Sequence, residues 1–179
     1  LYGNGNATAF AGANIKSVEN VNAQLTAGGA LDVSANAGVK QATIIAGSTG
    51  AHTVTLTKAQ MGGLAGSVGA ATQTFTFKDA TAATNDAAKI ALDAAKIDAG
   101  GGVTVHGIET LTLSAEGKNT LRTLTSDSVS SLVIDGAGSV SVTGVAGGGS
   151  FKSIDASANT GGGSINIAAA AAADLSIKG

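Results

Sequence analysis

The feature that most constrains this chain is a two-residue alternation of apolar side chains with threonine or serine. It recurs in short segments, among them 52–57, 73–77, 109–113 and 139–143. Alternation rich in β-branched residues predicts β-strands with one buried face. The glycines and asparagines between the segments favour turns, because they tolerate positive φ angles. The sequence therefore predicts an all-β fold.

The spacing of these strands narrows the choice of architecture. Strand centres in the second half of the chain recur at short and fairly even intervals, which is typical of a sandwich, a barrel or a solenoid. The centres are Leu111, Leu121, Leu132, Val140, Ile154, Ile165 and Leu175. A sandwich usually fills its core with large side chains, whereas this chain has 27 glycines and only 3 % aromatic residues. We expect a β-solenoid, a parallel β-helix-like stack of short strands.

One segment departs from the alternation and has the features of a helix. Thr84 or Asn85 can cap the first N–H groups, and the glycines at 100–102 can end the helix. Apolar residues recur along one helical face, at Ala87, Ile90, Ala94 and Ile97. We predict one inserted α-helix at about 85–98, within an inserted segment at about 80–100. The alanines of 168–173 are compatible with a further helical turn.

An internal repeat relates the two halves of the chain. Residues 15–22 read like 105–112 at an offset of 90, and Leu31 matches Leu121 at the same offset. We expect two copies of one supersecondary unit, at about 15–57 and 105–143, within a single β-rich domain over 1–179. The chain opens on Leu1 where a complete protein has Met, so we interpret it as a fragment of a longer chain.

Charge and hydropathy exclude several classes of function. The net charge is −2 with ten Lys and Arg residues, which leaves no electrostatic footprint for nucleic acid. No apolar run is long enough to cross a bilayer, so the sequence predicts no membrane-spanning segment. The absence of cysteine excludes disulfides, thiolate zinc sites and a cysteine nucleophile.

Catalytic patterns are also missing from the sequence. The two histidines, His52 and His106, lie beside strand segments, and we interpret both as exposed strand positions. No HExxH, GxSxG or GxxxxGK[ST] motif occurs. A β-helical polysaccharide enzyme needs paired acids with aromatic and basic residues, and this chain has one Tyr, no Trp and one Arg. The sequence predicts that the protein is not an enzyme.

Two carboxylates follow apolar strand residues and precede turns. They are Asp135 in 133–136 and Asp155 in 153–157. A carboxylate in this position either caps the N–H groups of the turn or binds Ca²⁺ together with carbonyl oxygens. Asp135 and Asp155 are therefore the candidate metal ligands, with turn capping as the alternative.

The order of four segments in the second half resembles a known family. Residues 107–113 (GIETLTL) are followed by 132–136 (LVIDG), 139–144 (SVSVTG) and 151–161 (FKSIDASANTG). This order resembles the repeat regions of RTX-type surface-layer proteins of Gram-negative bacteria. In those proteins a G-(I/V)-E-T-(L/V) strand leads through short strands to an I/F-D-A-S turn. The closing residues 173–179 look like the run-in to a calcium-binding nonapeptide array.

The resemblance implies a non-enzymatic protein that is secreted to the bacterial cell surface. Its partners would be copies of itself in a lattice, and calcium would be its cofactor. The family's calcium motif GGxGxDxUx does not occur, since Asp135-Gly136-Ala137-Gly138-Ser139 has Ser139 where the motif has Asp. The sequence thus predicts a structural, self-assembling subunit of a surface layer or an extracellular filament. The alternative is a bacterial adhesin or cell-surface binding module.

Overall fold

The computed structural model describes residues 2–5, 17–26, 28–81, 85–146, 151–166 and 171–179. These residues form sixteen strands and no helix, and each strand pairs with its neighbours in parallel. The strands are β1 (Tyr2–Gly5), β2 (Asn20–Leu25), β3 (Gly29–Asp32), β4 (Gln41–Ile45), β5 (His52–Leu56), β6 (Met61–Ser67), β7 (Gln73–Phe77), β8 (Ala87–Lys96), β9 (Gly102–His106), β10 (Thr110–Glu116), β11 (Lys118–Ser126), β12 (Ser131–Gly136), β13 (Ser139–Ala146), β14 (Phe151–Asn159), β15 (Gly163–Ile165) and β16 (Ala171–Lys178).

The pairing arranges these strands into a solenoid with three sides. Side A contains β1, β2, β4, β6, β8, β10, β12, β14 and β16. Side B contains β3, β5, β7, β9 and the second halves of β11 and β13. Side C is narrower and contains the ends of β6 and β8, the first halves of β11 and β13, and β15. The prediction of an all-β solenoid is confirmed.

The core lies inside these three sides and is built from columns of inward side chains. One column on side A runs through successive coils as Val21, Ala42, Gly62, Ile90, Leu113 and Ile134. The apolar residues of this column are at most 4 % exposed. Burying one such Leu or Ile side chain contributes about 1.5–3 kcal/mol. The alternation seen in the sequence therefore corresponds to the inner and outer faces of each strand.

Side A and side B compensate for one another in volume. Gly62 on β6 faces inward, opposite the ring of Phe75 on β7. A Cβ atom at Gly62 would lie 2.6 Å from Cδ1 of Phe75, closer than van der Waals contact allows. The fully buried Phe75 thus occupies the space that a larger residue would take on side A. Because glycine leaves space for this ring, the core is filled here although the chain contains few aromatic residues.

The predicted helix at about 85–98 is wrong, because Ala87–Lys96 forms strand β8. Its inward residues are Ala88, Ile90 and Leu92, which alternate with period two. Parallel ladders join β8 to β6 on one side and to β10 on the other. A helix here would leave those two strands without partners in the middle of the stack, a cost that outweighs the helix propensity of alanine. Of the alanine run at 168–173, Ala171–Ala173 open β16, and 168–170 lie outside the described residues.

A column of left-handed residues turns the chain from side A to side C. Gly66, Ala94 and Gly117 follow register-paired residues on β6, β8 and β10, and their φ angles are 67°, 46° and 65°. Glycine adopts such angles freely, whereas alanine in this region costs about 1–2 kcal/mol. The position of Ala94 between two coils that turn in the same way holds it in this conformation.

The repeating unit of the structure is the coil. Gln41 is the register partner of Met61, and Gly62 is that of Ile90, so successive coils differ in length. The carbonyls of Glu19 and Glu109 each accept two backbone hydrogen bonds from the next coil, so these residues occupy similar corners. Leu31 lies on side B, whereas Leu121 lies on side C. In the proposed copies at 15–57 and 105–143, residues 15, 16 and 27 lie outside the described residues.

Candidate functional site

The outer face of side B carries two columns dominated by threonine. Four threonines follow one another on adjacent strands in the first column, and two stand next to each other in the second. The first column is Ala30, Thr53, Thr74, Thr104, Thr125 and Ala146, and the second is Asp32, Thr55, Thr76 and His106. The six threonines, which we call the threonine array, are partly exposed. Their strands pair across side B without a register shift at these positions.

Charged groups lie at the margins of the threonine array and not inside it. At one end of the second column, Asp32 forms an ion pair with Lys78 at 3.4 Å. At the other end, Nδ1 of His106 lies 2.9 Å from Oδ2 of Asp127. Burial disfavours ionisation of Asp127, but the Gly107 N–H group and His106 hold the pKa of its carboxyl below the usual value. The pKa of Asp32 lies below its usual value, chiefly because of the hydrogen bond from the Ser34 hydroxyl. Burial opposes this effect, and the Ser34 backbone N–H and Lys78 add to it.

The outer face of side A has a different shape. A groove of about 680 Å³ crosses its strands, with Gly63 and Ala91 in adjoining positions on β6 and β8. A Cβ atom at Gly63 would overlap Oγ1 of Thr43, which accepts a hydrogen bond of 2.9 Å from Nε2 of Gln41. Polar and charged side chains line the groove, among them Asn22, Gln41, Thr43, Lys89, Asp93, Ser114 and Glu116. The groove therefore exists because small residues stand where neighbouring coils carry larger ones.

Ion pairs connect coils of the stack. Lys58 lies 2.6 Å from Asp86, and its pKa is raised chiefly by this hydrogen bond. Lys89 lies 3.1 Å from Asp135 and Lys178 lies 3.6 Å from Asp155, so both pairs also join different strands of side A. Asp86 also binds the backbone, because its Oδ2 accepts a hydrogen bond from the Thr81 N–H group.

Asp135, a candidate calcium ligand, lies on the outer face of β12. Lys89 approaches one carboxylate oxygen, Oδ2, while the other, Oδ1, is buried without a hydrogen-bond partner. Burial favours the protonated form, but the Ser114 hydroxyl and Lys89 hold the pKa of Asp135 below its usual value. The residue forms an ion pair on the sheet and does not cap a turn.

Asp155, the second candidate calcium ligand, lies on β14 and accepts its hydrogen bonds from a residue of the same strand. Its Oδ1 accepts hydrogen bonds from the backbone N–H of Ser157 at 2.9 Å and from the Ser157 hydroxyl at 2.6 Å. These bonds, the hydroxyl first and aided by Lys178, lower the pKa of Asp155. This matches the capping alternative.

The structure does not assemble Asp135 and Asp155 into a calcium site. Asp155 is the register partner of Val133, and Asp135 is the register partner of Ala158. No group of three or more His, Cys, Asp or Glu side chains is placed to hold a metal within the described ranges. Calcium needs six to eight oxygen ligands, and a lysine ammonium lies beside each carboxylate. Calcium at either residue would require that lysine to move away.

The interpretation of both histidines as exposed is wrong for His52. His106 is exposed, but His52 points into the core and is only 1 % exposed. Its Nδ1 accepts a hydrogen bond of 3.1 Å from the Gly29 N–H group. Desolvation lowers the pKa of His52, against backbone hydrogen bonds at Thr49 and Gly29. The alternation of 52–57 places residue 52 on the same face as Val54 and Leu56, a signal that does indicate burial.

Sequence reasoning also missed both surface features. The pairs Thr53–Thr55 and Thr74–Thr76 are visible in the sequence, but only the register shows that they lie side by side. The groove depends on which outer positions of neighbouring coils carry Gly or Ala, and this again requires the register.

Comparison with protein-family models, curated proteins and solved structures gives no match. Among the described residues there is also no helix of the length and apolarity needed to cross a membrane. The solenoid fold is therefore established by the strand pairing alone.

Proposed function

We propose that the protein is a structural subunit that assembles with copies of itself into an extracellular coat, a surface layer or filament on a bacterial cell. The resemblance of 107–161 to RTX-type surface-layer repeats supports this proposal. In this view the chain performs no catalysis, and its outer surface supplies the contacts to other copies.

The observation that carries the proposal is the internal pairing of charge. Five lysines in the described part of the chain lie between 2.6 and 3.6 Å from an aspartate of the same molecule. Combined with a net charge of −2, this pairing leaves little long-range repulsion between copies. Extended contacts between like molecules then have a small electrostatic cost.

Electron microscopy and sedimentation of the purified protein over a range of concentrations test the proposal. We expect ordered sheets or filaments whose formation changes little between about 0.1 and 1 M salt, because paired charges contribute little screened repulsion. Parallel samples with millimolar calcium and with a chelator test whether Asp135 and Asp155 bind the ion. A protein that stays monomeric at high concentration, with calcium present, contradicts the proposal, as does hydrolysis of a glycan.

A binding module of the cell surface is the second candidate, and the groove on side A favours it. Amides and hydroxyls of Asn22, Gln41, Thr43 and Ser114 line this groove, as expected for contacts with a neutral polar ligand. Binding to a glycan panel that is lost in Gln41→Ala would place this candidate first.

A further inference from the structure

We propose that the threonine array on side B is an ice-binding surface. Its ligand is the ordered water of an ice crystal face, and its six members are Thr53, Thr55, Thr74, Thr76, Thr104 and Thr125. This inference does not depend on assembly into a coat.

The geometry of the array supplies the first argument. Parallel strands place neighbouring coils about 4.8 Å apart, and residues two apart along a strand about 6.6 Å apart. Because the ladders pair in register across β5, β7, β9 and β11, these spacings repeat in two directions. A surface of regularly repeated groups can match a crystal lattice at many points at once, whereas irregular surfaces cannot.

The free hydroxyls of the array supply the second argument. No hydroxyl of the six threonines forms a hydrogen bond with another residue in the part of the chain that the structure describes. On the other sides, outer hydroxyls do pair: Ser153 donates to Ser131 at 2.9 Å, and Ser141 lies 3.2 Å from Ser164. The threonines of side B therefore keep their donors and acceptors available for water.

Threonine also has the side chain that this role needs. Its branched Cβ restricts χ1, so little conformational entropy is lost when surrounding water becomes ordered. Its methyl group stands beside the hydroxyl, so each residue offers an apolar contact together with a hydrogen-bonding group. A charged side chain would instead hold its own hydration shell, and none lies inside the array.

Side A shows that the fold does not require such regularity. The outer column through Gln41 on side A continues as Met61, Lys89, Thr112 and Val133. The same stack thus accepts amide, thioether, ammonium, hydroxyl and aliphatic groups at equivalent outer positions. A general preference of strands for threonine does not explain why threonine dominates the outer columns of one side while the other side is mixed.

The size of the array argues against a protein partner. Four rows span about 14 Å across the strands, and two columns span about 7 Å along them. A stable protein interface needs about 800 Å² from each partner, far more than this patch provides. An ice face requires only the repeat and no pocket.

Partition into slowly growing ice, together with thermal hysteresis, tests the proposal. We expect the unmodified chain to enter the ice, and Thr74→Lys and Thr76→Lys to be excluded from it and to lose most of the hysteresis. Thr74→Val keeps the shape and removes one hydroxyl, so a partial loss is expected. Thr112→Lys makes the same chemical change on the outer face of side A and should behave like the unmodified chain.

Circular dichroism verifies that all variants keep the strand signal, which is expected because each side chain points outward. Exclusion of the unmodified chain from ice overturns the proposal. An equal loss in Thr112→Lys also overturns it. If Thr74→Lys alters sedimentation but leaves ice partition unchanged, side B is a contact between copies and the proposal is again wrong.

Discussion

Side A and side B of the solenoid enclose the same core, yet their inner and outer faces are organised differently. Inside, they are complementary, since Gly62 on side A faces the ring of Phe75 on side B. Their outer faces differ: side A is mixed and grooved, whereas threonine dominates the outer columns of side B. Packing fixes the inner residues of each coil because the two sides share one volume. It leaves the outer residues unrestricted, so regularity on the outside points to a ligand.

The largest effect should come from disturbing the inner complementarity. Phe75→Ala removes the fully buried ring that fills the space over Gly62. We expect a loss of about 3–5 kcal/mol in the free energy of unfolding, because the rigid strands cannot collapse into the cavity. Urea denaturation followed by circular dichroism measures this change.

The reciprocal substitution provides the control for this pair. Gly62→Ala places a methyl group against the Phe75 ring, and overpacking of this kind costs about 1–3 kcal/mol. In combination with Phe75→Leu, the same substitution should cost less than the sum of the two single changes. Strict additivity would show that the two sides do not share this volume.

A smaller effect concerns the buried histidine of side B. The pKa of His52 in the folded protein lies below its ordinary value of 6.5, so the unfolded chain binds more protons in the acid range. Stability should therefore fall as the pH drops from about 6.5 toward the lowered pKa of the folded state. Thermal unfolding at a series of pH values measures this slope.

The matched variants separate this histidine from the other acid-sensitive groups. His52→Gln introduces an amide, the group that Gln73 supplies at the paired position in the next coil. This variant should lose the fall in stability below about pH 6.5, whereas His106→Gln should retain it. The carboxylates with lowered pKa values, such as Asp135 and Asp155, act in a different window, since their contribution is lost only below about 3.8. A slope that persists in His52→Gln contradicts the assignment.

The smallest effect lies at the corner where side A ends. Ala94→Gly relieves a left-handed alanine, a gain of about 1–2 kcal/mol, against about 0.5–1 kcal/mol for the greater freedom of glycine in the unfolded chain. We expect a net stabilisation of about 0–1.5 kcal/mol, measured by denaturation. Ala91→Gly, in the extended part of the same strand, should destabilise the protein instead.

The class of fold was predictable, but the assignment of one segment was not. Alternation in 52–56 and 73–77 is unambiguous, because Thr alternates there with Val, Leu and Phe. In 87–96, alanine occupies both inner and outer positions, so the apolar residues fit a helical stripe as well as a strand. Only the ladders with β6 and β10 decide the conformation, and such pairing between distant residues cannot be read from local pattern.

The candidate sites were less predictable than the fold. The sequence identified Asp135 and Asp155 as acids near turns, but not the lysines beside them. Lys89 and Lys178 are both distant along the chain from the acids they contact, so only the register brings each pair together. The threonine array depends on the register in the same way.

The in-register stack has a consequence for how the molecule comes apart. The backbone ladders join each coil only to the coils before and after it, so stability is close to a sum of terms between nearest neighbours along one line. A break at any one junction leaves two shorter stacks, each still ordered on its own side of the break. Unfolding then proceeds coil by coil from a free end or from the break. A central coil such as the one holding Phe75 therefore opens only after its neighbours have separated.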